Sequence, residues 1–243
     1  MTFDSYAFIF FFLIFFVVYY TVAATNLRLQ NLIILAGSFL FYGWWDYRYL
    51  FLMLASCLMD YAAGLIIENI DQKKLVSVRD KTMRKAALVL SLSVNLGVLF
   101  LFKYYNFFTD SLFLLLQNLH LNVNMMDLNL VLPIGVSFYT FQSIGYTIDV
   151  YRRHLKPERN VFTFLAFTTF FPHLVAGPMM RGRDLLPQFY KTRRLSVDSV
   201  KMAVWLILWG FFLKTVIADN AAQYVETTFR PHQADGTFTE VIV

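Results

Sequence analysis

The stretch SYAFIFFFLIFFVVYYTVAATNL, residues 5–27, decides the fold class. None of its 23 residues is charged. A helix needs roughly 20 apolar residues to cross a bilayer, at about 1.5 Å of rise per residue. Further uncharged, aromatic-rich runs follow along the chain, separated by short clusters of Lys and Arg. This alternation predicts an all-α, polytopic membrane protein in which several helices form a bundle or ring.

The apolar runs give the candidate membrane elements. The run Phe107–Leu121 contains Asp110 and His120 and is therefore expected to be interfacial or short. The other candidates are Tyr6–Ala24, Leu29–Trp45, Tyr49–Ile67, Ala86–Phe102, Leu128–Ile148, Val161–Met180 and Met202–Ala218. With no linker or internal repeat visible, residues 1–243 are predicted to form a single transmembrane domain.

Composition excludes several other classes of protein. Hydrophobic residues make up 58% of the chain and charged residues 15%, whereas soluble domains carry roughly a quarter charged residues. The net charge of +5 does not indicate nucleic-acid binding, because the basic residues lie between apolar runs. The lipid bilayer is the expected partner. The only cysteine, Cys57, excludes a disulfide within the chain, and no motif predicts a metal site.

The basic clusters predict the orientation. Residues 68–85, 151–159 and 181–194, together with Arg28, hold 16 of the 21 Lys and Arg residues. Positive loops remain in the cytoplasm, so the N-terminus is expected on the outer side of the membrane. The first run carries no Lys or Arg before Arg28 and is read as a retained span rather than a cleaved signal peptide.

One run cannot cross the membrane once under this assignment. Val161–Met180 has a basic cluster on both sides and contains Pro172, Gly177 and Pro178, which interrupt a helix. It is predicted to be a re-entrant segment or a pair of half-helices lining a cavity, because irregular backbone at membrane depth needs protein or water to satisfy it.

The run Leu128–Ile148 shows a similar pattern. Pro133, Gly135 and Gly145 are expected to interrupt it, and Tyr139 and Gln142 make it polar for a span. The predicted cavity-lining residues from the two runs are Tyr139, Gln142, Pro172, His173, Gly177 and Pro178.

His173 is the most reactive of these candidates. An imidazole at depth is able to act as a general base or to orient a substrate. Alternatively, it forms a hydrogen bond to a carbonyl freed by Pro172 and holds the bend. Arg181 and Arg183 follow directly and are candidates for the entrance of a phosphate-bearing acyl donor, or they are ordinary cytoplasmic positive charge.

Three charged residues near helix ends or within spans are expected to be structural. Asp60 is predicted to pair with a basic residue or a tyrosine hydroxyl inside the bundle. Asp149 is expected to form a salt bridge with a nearby Arg. Lys214 is expected to extend to the interface.

Six short stretches together resemble the membrane-bound O-acyltransferase family, in its alginate O-acetylation branch. They are FYGWW at 41–45, FKYYNF at 102–107, LPIGVSFY at 132–139, IDVYR at 148–152, FPHLVAGP at 171–178 and KTVIAD at 214–219. The resemblance implies a helical ring with a central tunnel. It also implies acetyl transfer from a cytoplasmic thioester, acetyl-CoA or an acyl carrier, toward an exported polysaccharide such as alginate. Periplasmic polysaccharide-acetylation proteins would be the partners, with no bound cofactor.

The family's catalytic histidine has no counterpart among the matching stretches and is expected beyond Val243. The catalytic residues are therefore unknown, and the chain is expected to correspond to the N-terminal half of an acyltransferase that is inactive alone. A non-catalytic transporter, or a scaffold of the cell-envelope polysaccharide machinery, is the alternative, because broken helices also occur in transporters.

Overall fold

The computed structural model describes residues 5–22, 25–44, 46–73, 77–118, 135–174, 177 and 180–229. Within these ranges every regular element is helical, which confirms the all-α prediction. The helices are α1 (Tyr6–Val22), α2 (Leu27–Gly43), α3 (Tyr47–Asp71), α4 (Val78–Lys103), α5 (Tyr105–Asn118), α6 (Val136–Tyr151), α7 (Val161–Thr168), α8 (Phe171–Leu174), α9 (Gly182–Leu185), α10 (Val197–Phe212) and α11 (Asp219–Phe229).

Three helical stretches in the described part of the chain are long and apolar enough to cross a membrane. They are Tyr47–Asp71, Val78–Lys103 and Val197–Glu226, with mean hydropathies of 2.0, 2.0 and 1.8. Shorter apolar helices cover Tyr6–Val22, Leu27–Gly43 and Val161–Leu174. The prediction of a membrane protein is confirmed.

The chain divides into two compact units, residues 1–193 and residues 194–243. In the first unit α3, α4 and α6 pack against one another, α2 packs on α3 and α7, and α1 packs on α2. Met53, Ile67, Tyr146 and Phe164 are among its fully buried side chains. In the second unit α10 continues through π-helical turns (Leu213–Ala218) into α11. A single domain over residues 1–243 stays a prediction.

The start of α4 was predicted eight residues too late. The helix begins at Val78 rather than Ala86, because Ser77 and Asp80 form a reciprocal capping box. The Ser77 hydroxyl oxygen accepts the Asp80 amide at 3.1 Å, and Lys73 Nζ pairs with Asp80 at 2.5 Å. The basic residues 79–85 therefore form helical turns rather than a loop.

The prediction that Gly145 interrupts its run was wrong. The helix α6 is continuous from Val136 to Tyr151. One glycine inside a helix costs only about 1 kcal/mol relative to alanine, which packing on α3 and α4 outweighs. Gly135, by contrast, does mark a boundary, as the residue before α6. Pro133 lies outside the described residues.

The last apolar run was also predicted too short. Its helix does not end at Ala218 but continues as α11 to Phe229. Apolarity marks where a membrane segment stops, whereas a helix is able to continue into polar sequence. At this boundary Lys214 pairs with the carboxylate of Asp219.

Candidate functional site around a broken helix

The apolar run 161–174 is split into two short helices. α7 ends at Thr168 and α8 begins at Phe171. Pro172 has no amide hydrogen to donate to the carbonyl of Thr168, and its ring excludes a continuous helix at that point. The Thr169 hydroxyl also donates to the Leu165 carbonyl at 2.8 Å, a contact that favours bending. The predicted interruption is therefore present, as two half-helices.

Side chains from two neighbouring helices satisfy the backbone at this break. Gln142 Nε2, on α6, donates to the carbonyl of Phe167 at 3.0 Å. The Ser38 hydroxyl, on α2, accepts the amide of Phe171 at 3.2 Å. Both side chains are buried. At membrane depth such groups are satisfied by protein or by water in a cavity, and here Gln142 supplies the bond from protein and fixes the position of α7 relative to α6.

The end of α8 abuts the start of α6. Gly135 has a φ of 75°, in the left-handed region, and a Cβ built there would lie 2.2 Å from the Leu174 carbonyl oxygen. Only glycine tolerates both conditions. Further along, the Gly177 amide donates to the His173 carbonyl at 3.3 Å. Pro178 lies outside the described residues.

His173 lies on α8 with its ring half-buried. The imidazole packs edge-on against Phe170, with 5.1 Å between ring centroids. Its Nδ1 atom is buried and has no hydrogen-bond partner among the described residues. A bond from this atom to a freed carbonyl is therefore not seen in that part of the chain. Its role as a cavity-lining base or orienting group stays a prediction.

Tyr139, on α6, is one of several buried residues whose hydroxyl lacks a hydrogen-bond partner in the described part of the chain. The oxygen atoms of Tyr42, Tyr139 and Thr140 have no hydrogen-bond partner within the described ranges. Buried polar atoms are usually satisfied by protein or ordered water. These hydroxyls are thus sites where water or a hydroxyl-bearing ligand would find partners.

Asp60 is fully buried in α3 and joins α3 to α4. Its carboxylate accepts the Ser91 hydroxyl at 2.6 Å and the Asn95 amide nitrogen at 2.9 Å to each oxygen. Ser56 donates to Asn95 Oδ1 at 2.8 Å. The predicted pairing with a cation or a tyrosine was wrong. Small polar residues at the α3–α4 contact supply the donors, so no second charge has to be buried.

A cluster of ion pairs, which we call the basic end, joins α3, α4 and the chain after α6. Asp71 pairs with Arg84 Nε at 3.0 Å and with Arg153 Nη2 at 2.8 Å. Arg84 also donates to the carbonyl of Tyr151 and lies 4.1 Å from the centre of that ring. These contacts join the C-terminal ends of α3 and α6 to the N-terminal part of α4. A cavity lies beside them.

A cavity of about 740 Å³ opens at the basic end. Glu68 and Arg159 line it as an ion pair at 3.2 Å, and Arg153 lines it as well. Lys156 also lines it and has no acidic partner in the described part of the chain. Asp71 is the second carboxylate in the lining, so three cations face two carboxylates, and the single excess positive charge suits an anionic ligand.

Asp149 pairs with no arginine in the described ranges, so that prediction was wrong there. Its carboxylate lies 3.9 Å from His154 Nδ1. Arg153 has a positive φ of 62°, and its guanidinium pairs with Asp71 instead.

Arg181 and Arg183 are exposed. Arg183 Nε lies 3.7 Å from the carboxylate of Asp184. Neither arginine lines the cavity at the basic end. Their role at a donor entrance stays a prediction. Among the described residues no group of three or more His, Cys, Asp and Glu is arranged to hold a metal ion.

Sequence reasoning missed the contact between α2 and the segment after α9. Gln30 Nε2 donates to the Arg193 carbonyl at 2.8 Å, and its Oε1 accepts the Arg193 amide at 2.9 Å. Asn31 Nδ2 donates to the Phe189 carbonyl at 3.0 Å. The sequence did carry a signal for this contact, namely the two adjacent amide side chains of Gln30 and Asn31 inside an apolar run. A second cavity, of about 230 Å³, lies beside this contact, and Pro172 is among its lining residues.

Glu158 was also missed, and it ties the chain after α6 to the 3₁₀ turn Leu186–Tyr190. Its buried carboxylate accepts the Tyr190 hydroxyl and the Asn160 amide. Its own amide donates to the Tyr146 hydroxyl at 3.0 Å. Partial burial and the bond to Glu158 raise the pKa of the Tyr190 hydroxyl, which keeps it protonated as the donor.

Comparison with known proteins gives several clear relatives. The chain is 37% identical to the probable alginate O-acetylase of Pseudomonas putida and 38% identical to that of Azotobacter vinelandii, over 94% of its length. It is 28% identical to the peptidoglycan O-acetyltransferase of Helicobacter pylori over 85% of its length. The chain spans about half the length of the curated relatives it matches, with 45% of the first and 44% of the second covered.

No family model and no solved structure matches the chain. The curated relatives nevertheless match across nearly all of it, including the broken helix and the basic end. These matches confirm the resemblance that the motifs predict, which is to the alginate O-acetylation branch of the membrane-bound O-acyltransferase family.

Proposed function

We propose that the whole protein is an O-acetyltransferase that passes an acetyl group from a cytoplasmic thioester to an exported polysaccharide such as alginate. The observation that carries the proposal is the identity of 37–38% to alginate O-acetylases over 94% of the chain. Alginate is preferred to peptidoglycan as acceptor because the peptidoglycan O-acetyltransferase is the more distant relative, at 28%.

The proposed location is the bacterial inner membrane with the N-terminus outside. The basic end then faces the cytoplasm, in agreement with its excess of Arg and Lys. The donor is acetyl-CoA or an acyl-carrier thioester, both of which carry phosphate. Their negative charge favours this cavity, where Lys156 has no acidic partner among the described residues and is available to pair with it.

In the reaction the acceptor hydroxyl attacks the thioester carbonyl, the C–S bond breaks and a C–O bond forms. The hydroxyl proton passes to a base and then to the leaving thiolate. That base must lie within hydrogen-bond reach of the hydroxyl. We propose that it comes from outside residues 1–243, and that this chain supplies the cavity walls. Periplasmic polysaccharide-acetylation proteins are the proposed partners.

A chimera tests the proposal. The matching segment of the Pseudomonas putida relative is replaced by this chain, and the chimera is expressed in a host whose own alginate O-acetylase has been deleted. We expect acetyl groups to return to the exported alginate, measured by proton NMR. The 243-residue chain alone should return none.

The chimera also separates the alternatives. A chimera that inserts at normal level but leaves alginate unacetylated would reject acetyl transfer to this polymer. Acetylated peptidoglycan in the same cells would move the acceptor to the cell wall. Export of unmodified alginate that depends on the chimera would favour the transporter or scaffold instead.

His173→Asn in the same chimera tests the cavity-lining role. We expect acetyl transfer to fall about tenfold at unchanged protein level and melting temperature. This is less than the roughly 10²–10⁴-fold lost with a general base, because the base is proposed to lie elsewhere and His173 would only orient the substrate. Phe162→Ala, an exposed residue of α7, is the matched control and should keep full activity. Full activity of His173→Asn would leave the imidazole a packing residue.

A further inference from the structure

An aromatic groove, which we call the α1 groove, lies between α1, α2, α8 and residues 186–193. Its cavity has a volume of about 230 Å³. Most of its walls are aromatic rings, among them Phe12, Phe15, Phe16, Tyr20, Phe171 and Phe189. Phe12 and Tyr19 are seven residues apart on α1, so the groove follows the helix for about 10 Å. These dimensions and walls suit an apolar chain.

Polar groups that line the α1 groove include Tyr19, Arg193 and Gln188. The Arg193 guanidinium lies 5.7 Å from the centre of the Tyr19 ring and 5.2 Å from that of Phe189. Arg193 Nε and the Tyr19 hydroxyl are both buried, and neither has a hydrogen-bond partner among the residues described. Tyr19 as a whole is only 5% exposed. Two unsatisfied donors beside one positive charge point to a missing anionic acceptor.

Hydrogen bonds to α2 hold both the backbone and the side chain of Arg193 in place. Its backbone forms the reciprocal pair of hydrogen bonds with the Gln30 side chain, at 2.8 and 2.9 Å. Its Nη2 atom donates to Asn31 Oδ1 at 2.5 Å. One edge of the guanidinium is thus occupied by α2, whereas Nε has no hydrogen-bond partner among the described residues. A preorganised cation costs less to engage than a flexible surface lysine or arginine.

The exposed face of α1 indicates where the ligand comes from. Phe10, Leu13 and Ile14 are 67%, 55% and 65% exposed, as expected for a helix that faces lipid. A small anion such as free phosphate would gain nothing from the aromatic walls, whereas an acyl chain would be buried against them.

We propose that the α1 groove binds an anionic phospholipid of the bilayer. Its phosphate accepts hydrogen bonds from Arg193 Nε and the Tyr19 hydroxyl, and one acyl chain lies along the rings of α1 and α8. The bound lipid would support Pro172 and the broken helix from the outside. The proposal is independent of acetyl transfer and is tested without it.

Native mass spectrometry of the full chain tests the proposal. The purified protein is mixed in detergent with equal amounts of phosphatidylglycerol and phosphatidylcholine. We expect phosphatidylglycerol to be retained about tenfold more strongly, and Arg193→Gln to remove this preference. Arg183→Gln, which removes an exposed arginine paired with Asp184, is the control and should keep it.

Tyr19→Phe is the second variant, because Arg193→Gln also disturbs the contact with Asn31 and could alter folding. Tyr19→Phe removes only one hydroxyl and keeps the ring. It should weaken phosphatidylglycerol retention severalfold at unchanged melting temperature. Equal retention of the two lipids by the wild-type protein, or unchanged preference in both Arg193→Gln and Tyr19→Phe, would overturn the proposal. Displacement of phosphatidylglycerol by millimolar inorganic phosphate would overturn it as well, in favour of a soluble anion.

Discussion

Gly135→Ala is expected to destabilise the first unit by about 3 kcal/mol or more. The left-handed φ of 75° costs an alanine about 1–2 kcal/mol. The new methyl group would also lie 2.2 Å from the Leu174 carbonyl oxygen, so that α8 has to move. The measurement is the melting temperature of the purified chain in detergent, with the yield of monodisperse protein as a second readout.

Gly145→Ala provides the matched control, since it makes the same chemical change ten residues further along the chain. A Cβ at Gly145 meets no atom within 4 Å, and the residue lies inside α6. Alanine favours a helix over glycine by about 1 kcal/mol, so this variant should be as stable as the wild type or slightly more. Equal melting temperatures for the two variants would show that the α6–α8 junction is not tight.

The same contact explains how the broken helix is positioned. α8 is only four residues long, too short to hold its place by its own hydrogen bonds. It is held by Gly135 at one end and by Ser38 beside Phe171. Any role of His173 in the proposed transfer therefore depends on α2 and α6. Loss of activity in Gly135→Ala would follow from displacement of α8 rather than from lost chemistry.

Sequence reasoning located the helices because bilayer length and apolarity are local properties. It also located the break, because Pro172 acts on its own backbone. It misplaced the start of α4, where the capping box of Ser77 and Asp80 extends the helix into a basic segment that resembled a loop. It also treated Gly145 as a break, although a single glycine is weak against tertiary packing.

Partners between distant residues were not predictable from the pattern. Gln30 and Arg193 are 163 positions apart, and an amide in an apolar run has many equally suitable partners. Asp60 was recognised as a costly buried group, but its predicted partners were a basic residue or a tyrosine hydroxyl. The structure instead gives it hydroxyl and amide donors on α4. Periodicity indicates which face of a helix is buried, whereas the pairing across that face depends on the register of two helices.

Asn95→Leu is expected to destabilise the chain by about 3 kcal/mol, because it leaves a fully buried carboxyl group without two of its hydrogen bonds. Leucine has the same number and branching of heavy atoms as asparagine, but its methyl groups are bulkier, so some of the loss comes from overpacking at this buried site. The melting temperature in detergent should fall clearly, while the exposed-site control Asn118→Leu, on α5, should leave it unchanged.

The double variant Asp60→Leu with Asn95→Leu decides what the network contributes. If the cost of Asn95→Leu is the stranded carboxyl group, removing that group should restore much of the stability, since an apolar pair replaces a satisfied polar one. A strongly positive coupling between the two sites is therefore expected. Additive losses would contradict this account and show that each residue stabilises α3 and α4 through separate contacts. In that case the hydrogen bond from the Ser91 hydroxyl to Asp60, at 2.6 Å, would be the main contact of Asp60 with α4.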